Sequence, residues 1–168
     1  NLSIVCFNEK QWIGNGFIIP SGPLRESLSA LKRANLVIIN GKKNTRIEET
    51  ILKKNSLLKI FFTAYNPINI NEFINKKIIA FAGIGAPENF FHLLKDYNID
   101  LIEEIKFPDH YNYSNKHLED LISKKQKNNA TLLTTEKDYF RISEVYKKKI
   151  NYLKVSIKID DKKEFVSE

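Results

Sequence analysis

Short apolar runs rich in β-branched residues recur along the chain, and stretches of helical period lie between them. The runs fall at residues 2–7, 36–39, 57–63, 78–81, 100–105, 130–134 and 152–157. Apolar positions spaced three and four apart predict helices over residues 23–33, 87–97, 115–125 and 137–146. Strands alternating with helices of this length imply βαβ crossovers, hence an α/β fold with a mostly parallel sheet and flanking helices. Local signals agree with the periods. Pro23 suits a first helical turn, with Leu24, Leu28 and Leu31 on one face. Ser114 is placed to cap the third helix, and Thr134 or Thr135 to cap the one opening at Glu136. The polar stretch 66–75 lacks a period and marks a boundary between two lobes, residues 1–66 and 67–168.

Composition narrows the class. Hydrophobic residues at 42% and charged residues at 28% support a packed core rather than disorder. No apolar run approaches the roughly 18–20 residues of a membrane span. The single cysteine, Cys6, sits in an apolar run and reads as a buried thiol in a reducing compartment. The net charge of +7 is spread over many lysines instead of gathered on one element, so no specific nucleic-acid surface is expected. Such charge suits an anionic phospholipid or phosphorylated glycolipid equally well. The sequence contains no methionine and shows a strand pattern from Leu2, so it reads as a piece of a longer protein.

Four stretches carry candidate chemistry. Residues 80–87, Ala-Phe-Ala-Gly-Ile-Gly-Ala-Pro, end a strand in a two-glycine turn and start a helix. Gly83 and Gly85 would let the backbone approach an anion, or would simply close a tight turn. Neither a Walker A lysine nor the third dinucleotide-fingerprint glycine is present. Asp109-His110, between Pro108 and the tyrosines Tyr111 and Tyr113, follows a strand end, where open sheets bind ligands. The pair suits proton transfer, or a loop histidine capping a helix. His92 and His117 fall within helices and take no chemical role. Thr135, Glu136 and Lys137 open a helix after another strand, and could hold a phosphate or ribose or serve only as a helix start. Glycines and prolines over residues 13–23 shape a loop that delivers Arg25 and Glu26 into a first helical turn. Arginine there suits a phosphate and glutamate a metal or a partner cation. So much backbone specification around two opposite charges favours a ligand site.

The order of four blocks is specific: Gly-Asn-Gly with Pro-Ser-Gly-Pro-Leu-Arg-Glu, then Ala-Phe-Ala-Gly-Ile-Gly-Ala-Pro-Glu-Asn, then Phe-Pro-Asp-His, then Leu-Leu-Thr-Thr-Glu-Lys-Asp. Over residues 2–157 this resembles the tetraacyldisaccharide 4′-kinase family. The resemblance implies part of a P-loop-related kinase core followed by a smaller α/β lobe. It also implies transfer of the γ-phosphate of ATP, with Mg²⁺, to the 4′-hydroxyl of an acylated glucosamine disaccharide 1-phosphate. The work would be done at the cytoplasmic face of the inner membrane. His110 would polarise an aspartate serving as base, with Asp109 beside it and Glu26 also catalytic. Asn15 and Arg25 would meet substrate phosphate, and Glu26 a metal. The family's Walker A loop, catalytic aspartate, Asp-Asp-Gly-x-Gln block and membrane-docking helix would lie upstream of Asn1, so these 168 residues alone are expected to lack turnover. Two rival readings are a non-catalytic nucleotide- or sugar-nucleotide-binding module built on the Gly83–Gly85 turn, and a basic nucleic-acid-binding protein.

Overall fold

Side-chain alternation sorts the strands into two sheets. In the computed structural model, which describes residues 2–167, β1 (Ile4–Asn8) alternates exposed and half-buried positions. The following strand, β2 (Leu36–Asn40), is covered on both faces. Both pair in parallel, in register Ile4 to Leu36, and β2 continues in parallel to β3 (Lys59–Pro67). Helix α1 (Thr45–Leu52) joins β2 to β3 and packs Ile47 and Ile51 against Val37, Ile39 and Phe62. Its start follows from Asn44, whose Oδ1 accepts from the N–H groups of Arg46 and Ile47.

The edge position of β1 corrects the reading of Cys6, which is exposed. Successive strand residues point to opposite faces, and here Val5 and Phe7 take the packed face while Cys6 lies on the other. The expected helix over residues 23–33 is also shorter than its leucine spacing suggests. Only Leu28–Arg33 is helical, as a 3-10 turn. Leu24 is drawn instead into a bridge with Ile18, its N–H donating to Phe17 O at 3.2 Å and its carbonyl accepting from Ile19 at 2.8 Å. Arg25 and Glu26 therefore precede the helical turn.

The second sheet begins after Pro67. Its central strand β4 (Ile78–Ala82) is buried at every position. Around it lie β5 (Leu101–Lys106), β6 (Thr131–Thr135) and β7 (Asn151–Leu153) in the order β5-β4-β6-β7, all parallel. Period-two alternation assigns the faces. Ile78, Ala80 and Ala82 pack with Phe91 and Leu94 of α2 (Pro87–Asp96). Ile79 and Phe81 face the other way, to Leu118 and Leu121 of α3 (Asn115–Asn128). Helices on both faces explain why β4 reads as an unbroken apolar run. Because the strands are parallel, the loops after β4, β5 and β6 emerge along one sheet edge.

The predicted helix over residues 137–146 is two short ones, α4 (Glu136–Tyr139) and α5 (Glu144–Lys147). Buried Ile142 and the extended backbone at Ser143 interrupt the period. The apolar run 152–157 likewise holds two strands, because the chain changes partner at Lys154. β7 pairs with β6, whereas β8 (Val155–Ile159) lies beside β3 in the first sheet and is followed by α6 (Lys162–Ser167). Contacts thus divide the chain into one unit that ends at Asn66 and resumes at Ile157, and a second of Pro67–Ser156. By these contacts residues 157–167 group with the first unit. Hydrophobic period reports burial and is blind to which sheet supplies it.

Candidate active site

In the second unit three strand ends converge. After β4, Gly83 N–H donates to Asp138 Oδ2 at 3.0 Å, and Gly83 O accepts from His110 N–H at 3.1 Å. A Cβ at Gly83 would lie 3.0 Å from both Tyr111 Cβ and Tyr113 Oη and 3.1 Å from Pro108 O, so any side chain here would press its neighbours back by a few tenths of an ångström. After β5, His110 adopts a left-handed backbone, φ 58°, which turns its ring outward with the side chain 69% exposed. Asp109 Oδ1 accepts from His110 N–H at 2.9 Å, and its Oδ2 lies 3.9 Å from His110 Nε2. After β6, Thr135 caps α4 by accepting from Asp138 N–H at 3.1 Å and donates its hydroxyl to Asp138 Oδ2 at 2.7 Å. Glu136 opens that helix. Lys137 Nζ stands 3.4 Å from His110 Nε2 and 3.8 Å from Asp109 Oδ1. Gly83, Gly85, Asp109, His110, Thr135, Glu136 and Lys137 therefore share one edge of the second sheet.

Asn15, Arg25 and Glu26 lie in the first unit. Asn15 is a clamp for its own loop: Nδ2 donates to Ser21 O at 2.8 Å, and Oδ1 accepts from Phe17 N–H at 3.2 Å. Arg25 and Glu26 border a cleft of about 610 Å³ that β1 also lines. The Glu26 carboxylate is paired with Arg33. Magnesium needs several oxygen ligands in near-octahedral array. Among the described residues no group of three or more His, Cys, Asp or Glu side chains converges, so a magnesium ion held by Glu26 would take most of its ligands from water and phosphate.

A family model described as LpxK, tetraacyldisaccharide-1-P 4′-kinase, matches residues 1–168. The chain belongs to the tetraacyldisaccharide-1-P 4′-kinase family. It is 40% identical over 166 residues to a tetraacyldisaccharide 4′-kinase of Pelagibacter ubique (strain HTCC1062), covering 97% of this chain and 53% of that protein. With the corresponding protein of Rickettsia bellii (strain OSU 85-389) it shares 40% identity over 146 residues, 86% of this chain and 44% of the relative. A crystal structure of LpxK from Aquifex aeolicus, in complex with ATP, superposes with a TM-score of 0.66 at 21% identity. That match covers 99% of this chain and 50% of the other, and it bears on the fold alone. The chain spans about half the length of the curated relatives it matches.

Within this kinase-family lobe, two residues stand out that the sequence patterns did not single out as site residues. Asp138 is fully buried, and its Oδ1 lies 3.5 Å from Arg141 Nη1. Arg141 reaches further, donating from Nη1 to Gly83 O at 3.3 Å and contacting His110 Nδ1 through Nη2 at 3.0 Å. A buried carboxylate three residues before an arginine is a helix-spacing signal, but its partner Gly83 lies 55 residues away and leaves no local trace. Two predictions follow from the same packing. Gly83→Ala should lower unfolding stability by about 1–3 kcal/mol through overpacking, read by chemical denaturation, and an unchanged midpoint would show the turn to be loose. Tyr113 packs its ring against Phe81 and Phe107, and burial, then the Asp138 charge, raises its hydroxyl pKa well above the ordinary value. The folded state therefore binds that proton more tightly than the unfolded state does. Its contribution is complete below the unfolded tyrosine pKa of about 10 and is lost as pH rises above it. Tyr113→Phe should accordingly flatten the alkaline fall in stability, which thermal melts across that range would measure.

Proposed function

We propose that this chain forms part of an ATP-dependent kinase that phosphorylates the 4′-hydroxyl of tetraacyldisaccharide 1-phosphate, the step that makes a lipid A precursor. The observation that carries this reading is the family match across residues 1–168. In the reaction the 4′-oxygen forms a bond to the γ-phosphorus while the β,γ-bridging bond breaks, ADP leaves with the electron pair, and the hydroxyl proton passes to a base. Such transfer depends on positioning and charge neutralisation more than on covalent chemistry. His110 is the group this chain offers to orient and polarise that base. Its ring is exposed at a strand end, within 3.9 Å of Asp109 and flanked by Lys137 and Arg141. Arg25 is the candidate for an acceptor phosphate, since a guanidinium suits a planar oxygen pair. The basic chain has no described helix long and apolar enough to cross a membrane, and it is assigned here to a peripheral position on an anionic inner-membrane surface.

The rival nucleotide-binding module is less well supported, because Gly83 N–H, the donor a phosphate would use, is taken by Asp138. The test is incubation of the protein containing this chain with Mg²⁺, ATP and tetraacyldisaccharide 1-phosphate. A singly phosphorylated product at the 4′-position is expected by mass spectrometry and NMR. Failure to phosphorylate this acceptor by a folded protein that binds ATP would refute the proposal.

A further inference from the structure

Arg141 contacts a ring nitrogen of His110 with a group that can only donate. Its Nη2 lies 3.0 Å from His110 Nδ1. A guanidinium carries donors only and stays charged, so at that contact the imidazole nitrogen must accept. A neutral ring has one donor nitrogen and one acceptor, which places the proton on Nε2.

Lys137 opposes this assignment, because its Nζ sits 3.4 Å from Nε2 and is also a donor. A neutral imidazole cannot accept at both nitrogens, so one contact must yield. Three observations favour Arg141. Its contact is shorter by 0.4 Å, the difference between 3.4 and 3.0 Å. Its side chain is 22% exposed, against 50% for Lys137. It is also anchored twice, on Gly83 O and beside buried Asp138 Oδ1. Asp138 is itself fixed by Gly83 N–H and the Thr135 hydroxyl through its other oxygen. Lys137 has an alternative partner in Asp109 Oδ1 at 3.8 Å.

We propose that Arg141, braced by buried Asp138, is a positioning residue that holds His110 as the Nε2–H tautomer, so that the ring offers a donor to a carboxylate. The catalytic consequence rests on the kinase reading; the tautomer does not. The backbone supports the same geometry, since His110 N–H to Gly83 O and φ 58° fix where the ring leaves the chain.

Long-range proton–nitrogen correlation spectra of the histidine-labelled protein, recorded above the histidine titration range, read the tautomer directly. His110→Asn identifies the His110 signals among those of the other histidines. The wild type should show Nε2–H, Arg141→Met should give a tautomer mixture, and Arg141→Lys should restore the wild-type pattern only in part. Partners that orient metal-bound histidines cost about 10–100-fold when lost, and a loss of the same order in kcat, with KM for ATP unchanged, is expected for Arg141→Met. A wild-type Nδ1–H pattern, or one unaltered by Arg141→Met, overturns the proposal. So does a shifted tautomer with unchanged kcat. If Arg141→Met does not fold, the wild-type spectrum and Arg141→Lys decide. An active His110→Asn protein would overturn the kinase role of His110 and leave the tautomer result standing on its own.

Discussion

Replacing His110 with Asn in the protein that contains this chain should lower kcat for the proposed phosphorylation of tetraacyldisaccharide 1-phosphate by about 10²–10⁴-fold, the range lost when proton transfer to a positioned base fails. Asparagine is the right replacement because it tolerates the left-handed backbone that His110 adopts at φ 58°. The side chain is 69% exposed, so stability should stay close to that of the wild type. A loss of turnover with an unchanged melting temperature would therefore report chemistry. Retained kcat at saturating ATP and acceptor would remove His110 from the reaction and move attention to the first unit, where Arg25 lines its cleft.

The second large effect concerns structure. Asp138→Ala should destabilise the second unit by about 3–5 kcal/mol, the cost of breaking a buried charge pair by removing one partner. Asp138 is fully buried and serves three groups at once: Gly83 N–H, the Thr135 hydroxyl and the Arg141 guanidinium. Without it a backbone donor and a hydroxyl lose their acceptor and a partly buried cation loses its counter-charge. Asp138→Asn keeps the shape and one acceptor oxygen, so a smaller loss is expected, about 1–3 kcal/mol. Hydrogen exchange is the suitable measure, because two units need not unfold as one. Amides of β4 and β6 should lose protection while those of β1 and β2 keep theirs. Equal protection of β4 in Asp138→Ala and wild type would show that the carboxylate is not the anchor described.

How much of this was legible in the sequence depended on whether the cause was local. The strand at β4 and the helix opening at Glu136 were readable, because burial on both faces gives an apolar run and Thr135 caps a start within three residues. The residues 23–33 misled for a related reason. Leu24, Leu28 and Leu31 have helical spacing, yet the backbone of Leu24 is committed to Phe17 and Ile19. A pattern of side chains cannot show where a main-chain hydrogen bond goes. Asp109 and His110 were visible as neighbours at a strand end. Arg141 was invisible as a partner of His110, since a 31-residue separation is closed only by the parallel pairing of β5, β4 and β6. Cys6 was misplaced because a run of apolar letters does not say whether both faces of its strand are covered.

The return of the chain to β3 through β8 has a consequence for anyone editing the gene. The second unit is an insertion within the first, so no single cut yields both parts whole. A stop codon placed after Ser156 looks like a trim of a disposable tail beyond the lobe that carries His110. It would instead cut through β8, the strand beside β3 in the other sheet, and leave most of that edge unpaired. Excising Pro67–Ser156 and splicing Asn66 to Ile157 would respect the topology better, because both ends of the graft are attached at neighbouring strands.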